Sequence, residues 1–171
     1  MYRKLARAWG PQHWWPAETP FEVIAGAILT QNTTWINVER ALDSLRSAGM
    51  LNLDGIRAVP LSKLQQLVRS SGYYRQKAER LKSFVKFVDA KYEASLDRML
   101  TIPTSQLRAE LLALKGIGPE TADAILLYAG NHEVFVVDAY TRRILERHDV
   151  VAKAAKYDEI RCLVEIGRAH V

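Results

Sequence analysis

Apolar residues recurring at helical spacing are the feature of this chain that most constrains its fold. Five of them fall at positions i, i+3, i+4, i+7 and i+8 and form one stripe along a helix: Phe21, Ile24, Ala25, Ile28 and Leu29. Thr19 and Pro20 precede this stripe as an N-cap and a first-turn proline would. The same periodicity predicts helices over 34–48, 53–59, 61–70, 74–92, 104–113, 119–129, 140–147 and 157–164.

Only Val134–Val137 has a strand-like pattern, and it is too short to build a sheet. The sequence therefore predicts an all-α protein. Apolar residues make up 49% of its 171 residues, which permits a sizeable core. No apolar run approaches the roughly 20 residues that span a bilayer, and no secretory signal opens the chain, so we expect no membrane partner.

A net charge of +5 allows a polyanionic partner without requiring one. The single cysteine, Cys162, excludes an internal disulfide and a multi-cysteine metal site within these residues, which favours a reducing, intracellular setting. His13, His132 and His148 lack metal-ligand spacing, so we predict no metal site.

The segment Leu114–Gly118 separates two predicted helices and carries Gly116 and Gly118 on either side of Ile117. Such a turn lets backbone N–H groups approach a DNA phosphate closely, while Ile117 plugs inward between the helices. The alternative is an ordinary turn with glycine as the helix C-cap.

Asp138 ends the apolar run Val134–Val137 and precedes a helix. It is expected to cap that helix through the N–H of Tyr140 or Thr141. A carboxylate about one helix beyond a DNA-gripping hairpin is also placed to stabilise an oxocarbenium-like sugar and to orient or deprotonate water. The two roles are compatible.

Four motifs in order resemble those of the helix-hairpin-helix DNA glycosylase superfamily, in its endonuclease III branch. The resemblance runs from about Trp14 to Val164, and within the branch it is strongest to the endonuclease III-related and 3-methyladenine DNA glycosylases. The motifs are Leu29–Thr33, Gly72–Ala78, Leu114–Ala122 and Val136–Asp138.

The resemblance implies an active site between two lobes. A six-helix barrel would cover 21–130, with the helix-hairpin-helix over about 104–130, and 1–20 with 131–164 would form a second, truncated helical lobe. Residues 165–171 match the translation of a common short-read sequencing adapter, so we expect the natural coding sequence to depart near Val164. A genuine short tail is the alternative.

Family roles transfer onto matching positions. Asp138 would be the catalytic aspartate, Gln31 would fill the gap left by an extruded base, and Tyr73 would be the wedge that stacks on the orphaned base. The predicted DNA-binding residues are Gln31, Tyr73, Lys77, Leu114, Lys115, Gly116, Ile117, Gly118 and Thr121. Lys77 and Arg75 are predicted to point outward from the 74–92 helix and, being near the Tyr73 loop, to contact phosphate. The predicted base pocket consists of Trp14, Pro16 and Trp35, against core burial as the alternative for each tryptophan.

Two departures from the family pattern matter. Glu120 stands where bifunctional members carry a Schiff-base lysine, and Lys115 lies on the DNA side of the turn, so lyase chemistry should be weak or absent. Many members hold a [4Fe-4S] cluster on four C-terminal cysteines. We expect no cofactor in these residues, and a possible cluster only in a C-terminal segment that they lack.

The sequence thus predicts a monofunctional DNA glycosylase for damaged bases, an alkylated purine above all. It would act on double-stranded DNA as a monomer in a bacterial cytoplasm, at the nucleoid. The alternatives are a bifunctional endonuclease III-type glycosylase/lyase and a non-catalytic helix-hairpin-helix module. A third, for this chain alone, is an inactive fragment of poor stability.

Overall fold

The computed structural model describes residues 2–10 and 15–168 and is built from helices joined by short loops. The α-helices are α1 (Tyr2–Trp9), α2 (Pro20–Leu29), α3 (Trp35–Ser47), α4 (Leu53–Ala58), α5 (Leu61–Leu67), α6 (Tyr74–Tyr92), α7 (Leu96–Leu100), α8 (Thr104–Ala113), α9 (Pro119–Ala124), α10 (Ala139–Arg147) and α11 (Tyr157–Arg168). A 3₁₀ turn over Arg69–Ser71 precedes α6, and a π-helical turn over Ile125–Ala129 continues α9. The described ranges contain no strand, so the all-α prediction is confirmed.

Helix α2 lies at the centre of the fold. Every residue from Phe21 to Leu29 is buried, because α3, α6, α9 and the π turn pack around it. Thr19 caps α2 by accepting the N–H of Glu22, as predicted. Glu22 itself is buried and forms an ion pair with Arg46 of α3, which compensates the one charge in this helix.

Most helices fall where apolar periodicity predicts them, and α6 has the predicted bounds. Two helices were not predicted, α1 and α7, and both are short. Val134–Val137, the segment with a strand-like pattern, is a loop that does not form a strand. Among the described helices, none is both long and apolar enough to cross a membrane. The division into a barrel and a second lobe stays a prediction.

An ion network attaches α11 to the hairpin helices. Asp123 of α9 is fully buried and accepts Arg108 Nε at 2.7 Å, and Arg108 Nη2 also reaches Asp158 of α11 at 2.7 Å. Glu165 belongs to this packed helix, since its Oε1 accepts the N–H of Phe135 at 3.0 Å. The adapter origin of 165–171 stays a prediction, and residues 169–171 lie outside the described part of the chain.

Candidate DNA-binding and catalytic site

The hairpin between α8 and α9 presents its backbone to solvent. Gly116 has φ 89°, a conformation that L side chains rarely adopt, and Gly118 is an exposed, extended N-cap. Within the described residues the N–H groups of Gly116 and Gly118 have no acceptor. Ile117 is 6% exposed, which confirms the inward plug. Lys115 projects outward beside these glycines. The turn therefore offers free donors and a cation on one face.

Gln31 is brought to this hairpin from the turn after α2. Its Nε2 donates to Gly116 O at 2.9 Å and to Thr121 Oγ1 at 3.0 Å. Its Oε1 accepts a hydrogen bond from Arg80 Nη1. Three residues predicted separately, Gln31, Gly116 and Thr121, thus lie together. Their contacts with DNA stay a prediction.

Tyr73 projects from a loop that turns on two successive residues of positive φ. Gly72 has φ 68° and Tyr73 has φ 44°, and the tyrosine side chain is 65% exposed. Positive φ is unfavourable for a bulky residue and is typical of functional loops. An exposed ring held in this conformation is compatible with the predicted wedge role.

Lys77 does not lie where the sequence placed it. It is 1% exposed, and its Nζ donates to Leu29 O at 2.8 Å and to Ser71 O at 2.5 Å. Burial, together with the neighbouring Arg80, lowers its pKa to about 8. The predicted outward orientation and phosphate contact are therefore wrong for Lys77 in this structure. The ammonium instead ties the Tyr73 loop to the end of α2.

Asp138 is half-buried and caps α10. Its Oδ1 accepts the N–H of Thr141 at 2.7 Å, so the predicted capping role is confirmed. The preceding segment is fixed because Val137 N donates to the hydroxyl of Tyr157 at 3.2 Å. Oδ2 has no hydrogen-bond donor among the described residues, which leaves one carboxylate oxygen for a reacting group.

The negative charge of Asp138 acts on two ionisable groups, Glu120 and Tyr128. Burial and then the charge of Asp138 raise the pKa of Glu120, in the first turn of α9. The same two causes raise the pKa of Tyr128, in the π turn. A negative, partly desolvated locus of this kind favours a developing positive charge.

Three aromatic rings, those of Tyr128, Trp15 and Trp35, pack in succession. Trp15 packs against Tyr128 with centroids 5.2 Å apart and edge-on against Trp35 at 5.6 Å. Its Nε1 is buried and lacks an acceptor in the described residues. Pro16 and Trp35 line a cavity of about 230 Å³ on the side of Trp35 towards Glu22. Trp14 lies outside the described residues, so its predicted pocket role has no structural counterpart here.

Trp15 and Tyr128 are not among the predicted pocket residues, but their rings pack together and the charge of Asp138 acts on Tyr128. A signal for Tyr128 exists in the sequence, since it follows Glu120 by eight residues, two helical turns, on the helix that starts after the hairpin. In the structure, the charge of Asp138 raises the pKa of both Glu120 and Tyr128.

The described residues contain no group of three or more His, Cys, Asp or Glu side chains that could hold a metal ion. Cys162 lies exposed on α11. These residues do not fit a four-cysteine iron–sulfur cluster.

A helical hairpin with free backbone donors, set beside a capped aspartate, defines the helix-hairpin-helix class of DNA repair glycosylases. A family model described as "HhH-GPD superfamily base excision DNA repair protein" matches residues 25–168, and the chain belongs to this superfamily.

Relatives support the assignment. The chain is 49% identical to the "Putative DNA repair glycosylase" of Methanocaldococcus jannaschii, over 96% of this chain and 76% of that protein. It is 28% identical to endonuclease III of Sulfolobus acidocaldarius, over 82% of this chain and 61% of that protein. The chain thus spans about three quarters or less of these relatives.

Solved structures agree. The 3-methyladenine DNA glycosylase of H. pylori, bound to 1,N6-ethenoadenine, has a TM-score of 0.84 at 35% identity, covering 99% of this chain and 78% of that one. An endonuclease III–DNA complex has a TM-score of 0.79 at 24% identity, covering 95% and 72%, and shows the common fold.

Proposed function

We propose that this chain is a monofunctional glycosylase that releases an alkylated purine from double-stranded DNA by hydrolysis. The observation that carries the proposal is that Glu120 lies close enough to Asp138 for that charge to act on it. Glu120 occupies the first turn of α9, where a lyase would need an amine, and its pKa is raised by burial and by Asp138. A carboxyl group there stabilises positive charge but cannot form a Schiff base.

The reaction requires one ionised carboxylate close to the sugar. The C1′–N bond breaks, its electron pair leaves with the base, and positive charge develops on the sugar ring. Asp138 offers Oδ2 to that charge because Oδ1 is held by Thr141 N. Water then adds its oxygen to C1′, and Asp138 accepts the proton.

An N3- or N7-alkylated purine suits this site for two reasons. Its positive charge already weakens the glycosidic bond, so less catalytic assistance is needed. The electron-rich rings of Trp15, Trp35 and Tyr128 also attract a cationic base, at about 0.5–2 kcal/mol for one cation–π contact. The similarity to a 3-methyladenine glycosylase points to the same substrate class.

Endonuclease III-type lyase activity is the competing function, because relatives of that name resemble this chain. It would need a free amine near Asp138. Lys77 has a lowered pKa, but its Nζ is buried against Leu29 O and Ser71 O. Lys115 lies on the exposed face of the hairpin. Neither lysine is placed to attack the sugar.

The test is a duplex with one N7-methylguanine or 1,N6-ethenoadenine, analysed for free base and for strand breaks with and without alkali. We expect base release, with strand breaks only after alkali. Breaks without alkali would establish the lyase. DNA binding with no base release from any of these lesions would favour a non-catalytic module.

The variant that tests the catalytic assignment is Asp138→Asn. Asparagine can still cap α10, so folding should persist while the charge is lost. Base release should fall by at least about 100-fold. The matched control is Asp149→Asn, which removes the same charge from an exposed residue of positive φ that asparagine tolerates. Undiminished release by Asp138→Asn contradicts the proposal.

A further inference from the structure

Arg80, in the second turn of α6, lies directly against the hairpin backbone. A Cβ built on Gly116 would come within 2.8 Å of Arg80 Cδ and Cζ, so a side chain at this position would displace Arg80 from the place it occupies here. Arg80 is half-buried there. The absence of a side chain at Gly116 therefore admits a guanidinium to the face that carries the free hairpin N–H groups.

Among the described residues, no carboxylate compensates the charge of Arg80. Nη1 donates to Gln31 Oε1, and in the described part of the chain Nε and Nη2 have no acceptor. Across residues 2–10 and 15–168 no carboxylate lies within ion-pair distance of this guanidinium. The positive charge of Arg80 also acts on the nearby Lys77. Two cations close together favour the binding of an anion beside them.

We propose that Arg80 is a DNA-binding residue whose guanidinium, with the N–H groups of Gly116 and Gly118, binds one backbone phosphate. A guanidinium matches phosphate geometry with parallel donors, and backbone N–H groups complete the contact. Through Nη1 the same side chain holds Gln31, so phosphate binding and the placement of Gln31 depend on one residue. The proposal rests on the DNA-binding function proposed above.

A purely structural role is the alternative, in which Arg80 only supports the hairpin and Gln31. Salt dependence separates the two. Each phosphate contact releases about one counterion, so its loss lowers the slope of log K against log salt by roughly 0.9. A structural support does not change the number of phosphate contacts and leaves that slope unchanged.

The experiment measures binding of this chain to a duplex with a tetrahydrofuran abasic analogue, at 50–300 mM salt, so that no catalysis is needed. Arg80→Gln should lower the slope by about 0.9 and weaken binding about eightfold at 0.1 M salt. Arg80→Lys should keep most of the slope. The matched control is Lys86→Gln, which removes one exposed charge from the same helix and should leave the slope unchanged.

Thermal unfolding of each variant shows that the fold persists. An unchanged slope in Arg80→Gln, or an equal loss in Lys86→Gln, overturns the proposal even if DNA still binds. Failure of the wild type to bind any duplex overturns the proposed function as well. In a double-mutant cycle, Arg80→Gln and Gln31→Ala should be non-additive, and additive effects would contradict the link to Gln31.

Discussion

Burying the charged side chain of Lys77 without a carboxylate partner is unfavourable, but the buried ammonium holds two segments of the chain together. Its ammonium bonds two backbone carbonyls, Leu29 O at the end of α2 and Ser71 O at the end of the 3₁₀ turn. The chain leads from Leu29 to Gln31 and from Ser71 to Tyr73. A single side chain thereby fixes the separation of the two predicted DNA-inserting residues.

The lowered pKa of Lys77 predicts how stability depends on pH. The folded protein releases this proton near pH 8, whereas the unfolded chain holds it to about 10.5. Because the unfolded state binds more protons in that window, the free energy of unfolding should rise with pH there. Denaturant unfolding of wild type and Lys77→Met at pH 7 to 9.5 isolates this contribution.

The free energy of unfolding of wild type, relative to that of Lys77→Met, should increase as pH rises through 8. Other groups, including the tyrosines, titrate in both proteins and cancel. A difference that stays constant over the window contradicts the assignment. Direct titration of the Lys77 side chain by NMR provides a second measurement if the variant folds poorly.

Lys77 also shows where residue-level prediction reaches its limit. Its spacing from Leu81, Phe84 and Val88 puts it on the buried stripe of α6, but its charge predicted an outward orientation. The apolar spacing correctly indicated a buried position, whereas the charge of lysine wrongly suggested an exposed one. The side chain can be buried because two backbone carbonyls from distant segments accept hydrogen bonds from its ammonium. Such partners cannot be inferred from local sequence.

At the scale of elements, the two hairpin glycines, Gly116 and Gly118, have different backbone requirements, although the sequence pattern does not distinguish them. Gly116 has φ 89° and a neighbour that a Cβ would displace. Gly118 has φ −94°, with no atom within 4 Å of a built Cβ. Only the first requires glycine for the free protein to adopt this turn.

Gly116→Ala should therefore destabilise the protein by about 1 kcal/mol or more, while Gly118→Ala should stay within about 0.5 kcal/mol of wild type. Chemical denaturation of the two variants makes the comparison. Binding to the abasic-analogue duplex should weaken in Gly116→Ala because Arg80 and the hairpin donors are displaced. Equal stability losses at the two glycines would contradict this account.

Helix positions were predictable where apolar periodicity is long, as in α2 and α6. The five-residue helix α7 was not, because it offers too few turns for a period to emerge, and α1 was not predicted either. The site was predicted in part. Asp138, Gln31 and the hairpin lie in recognisable motifs, whereas Trp15 and Tyr128 meet only through folding.

Across the whole molecule, the Arg108–Asp123–Asp158 network joins α11 to the two consecutive hairpin helices, α8 and α9. Asp123 is inaccessible to solvent, and Arg108 contacts both of its carboxylate oxygens, at 2.7 and 3.2 Å. Asp158 is 56% exposed. The position of α11, and of Tyr157 that holds Val137, depends on this arrangement.

Asp123→Asn should lower the free energy of unfolding by about 3 kcal/mol, since it leaves a largely buried guanidinium without its main partner. Asp158→Asn is the matched control and should cost under about 1 kcal/mol, because that carboxylate is largely hydrated. Urea denaturation measures both. Similar costs for the two substitutions would show that the buried pair is not the main link.

The π turn over Ile125–Ala129 has a consequence for chain length. Gly130 N–H bonds to Ile125 O, five residues back, so the turn carries one more residue than an α-helix would. Deleting a single residue there would convert the π turn to α spacing and leave the downstream chain in nearly the same orientation, whereas a deletion within α9 would rotate it by about 100° relative to the hairpin. The second change would turn Asp138 away from Glu120, so the π turn is the point in this helix where a one-residue deletion should be tolerated best.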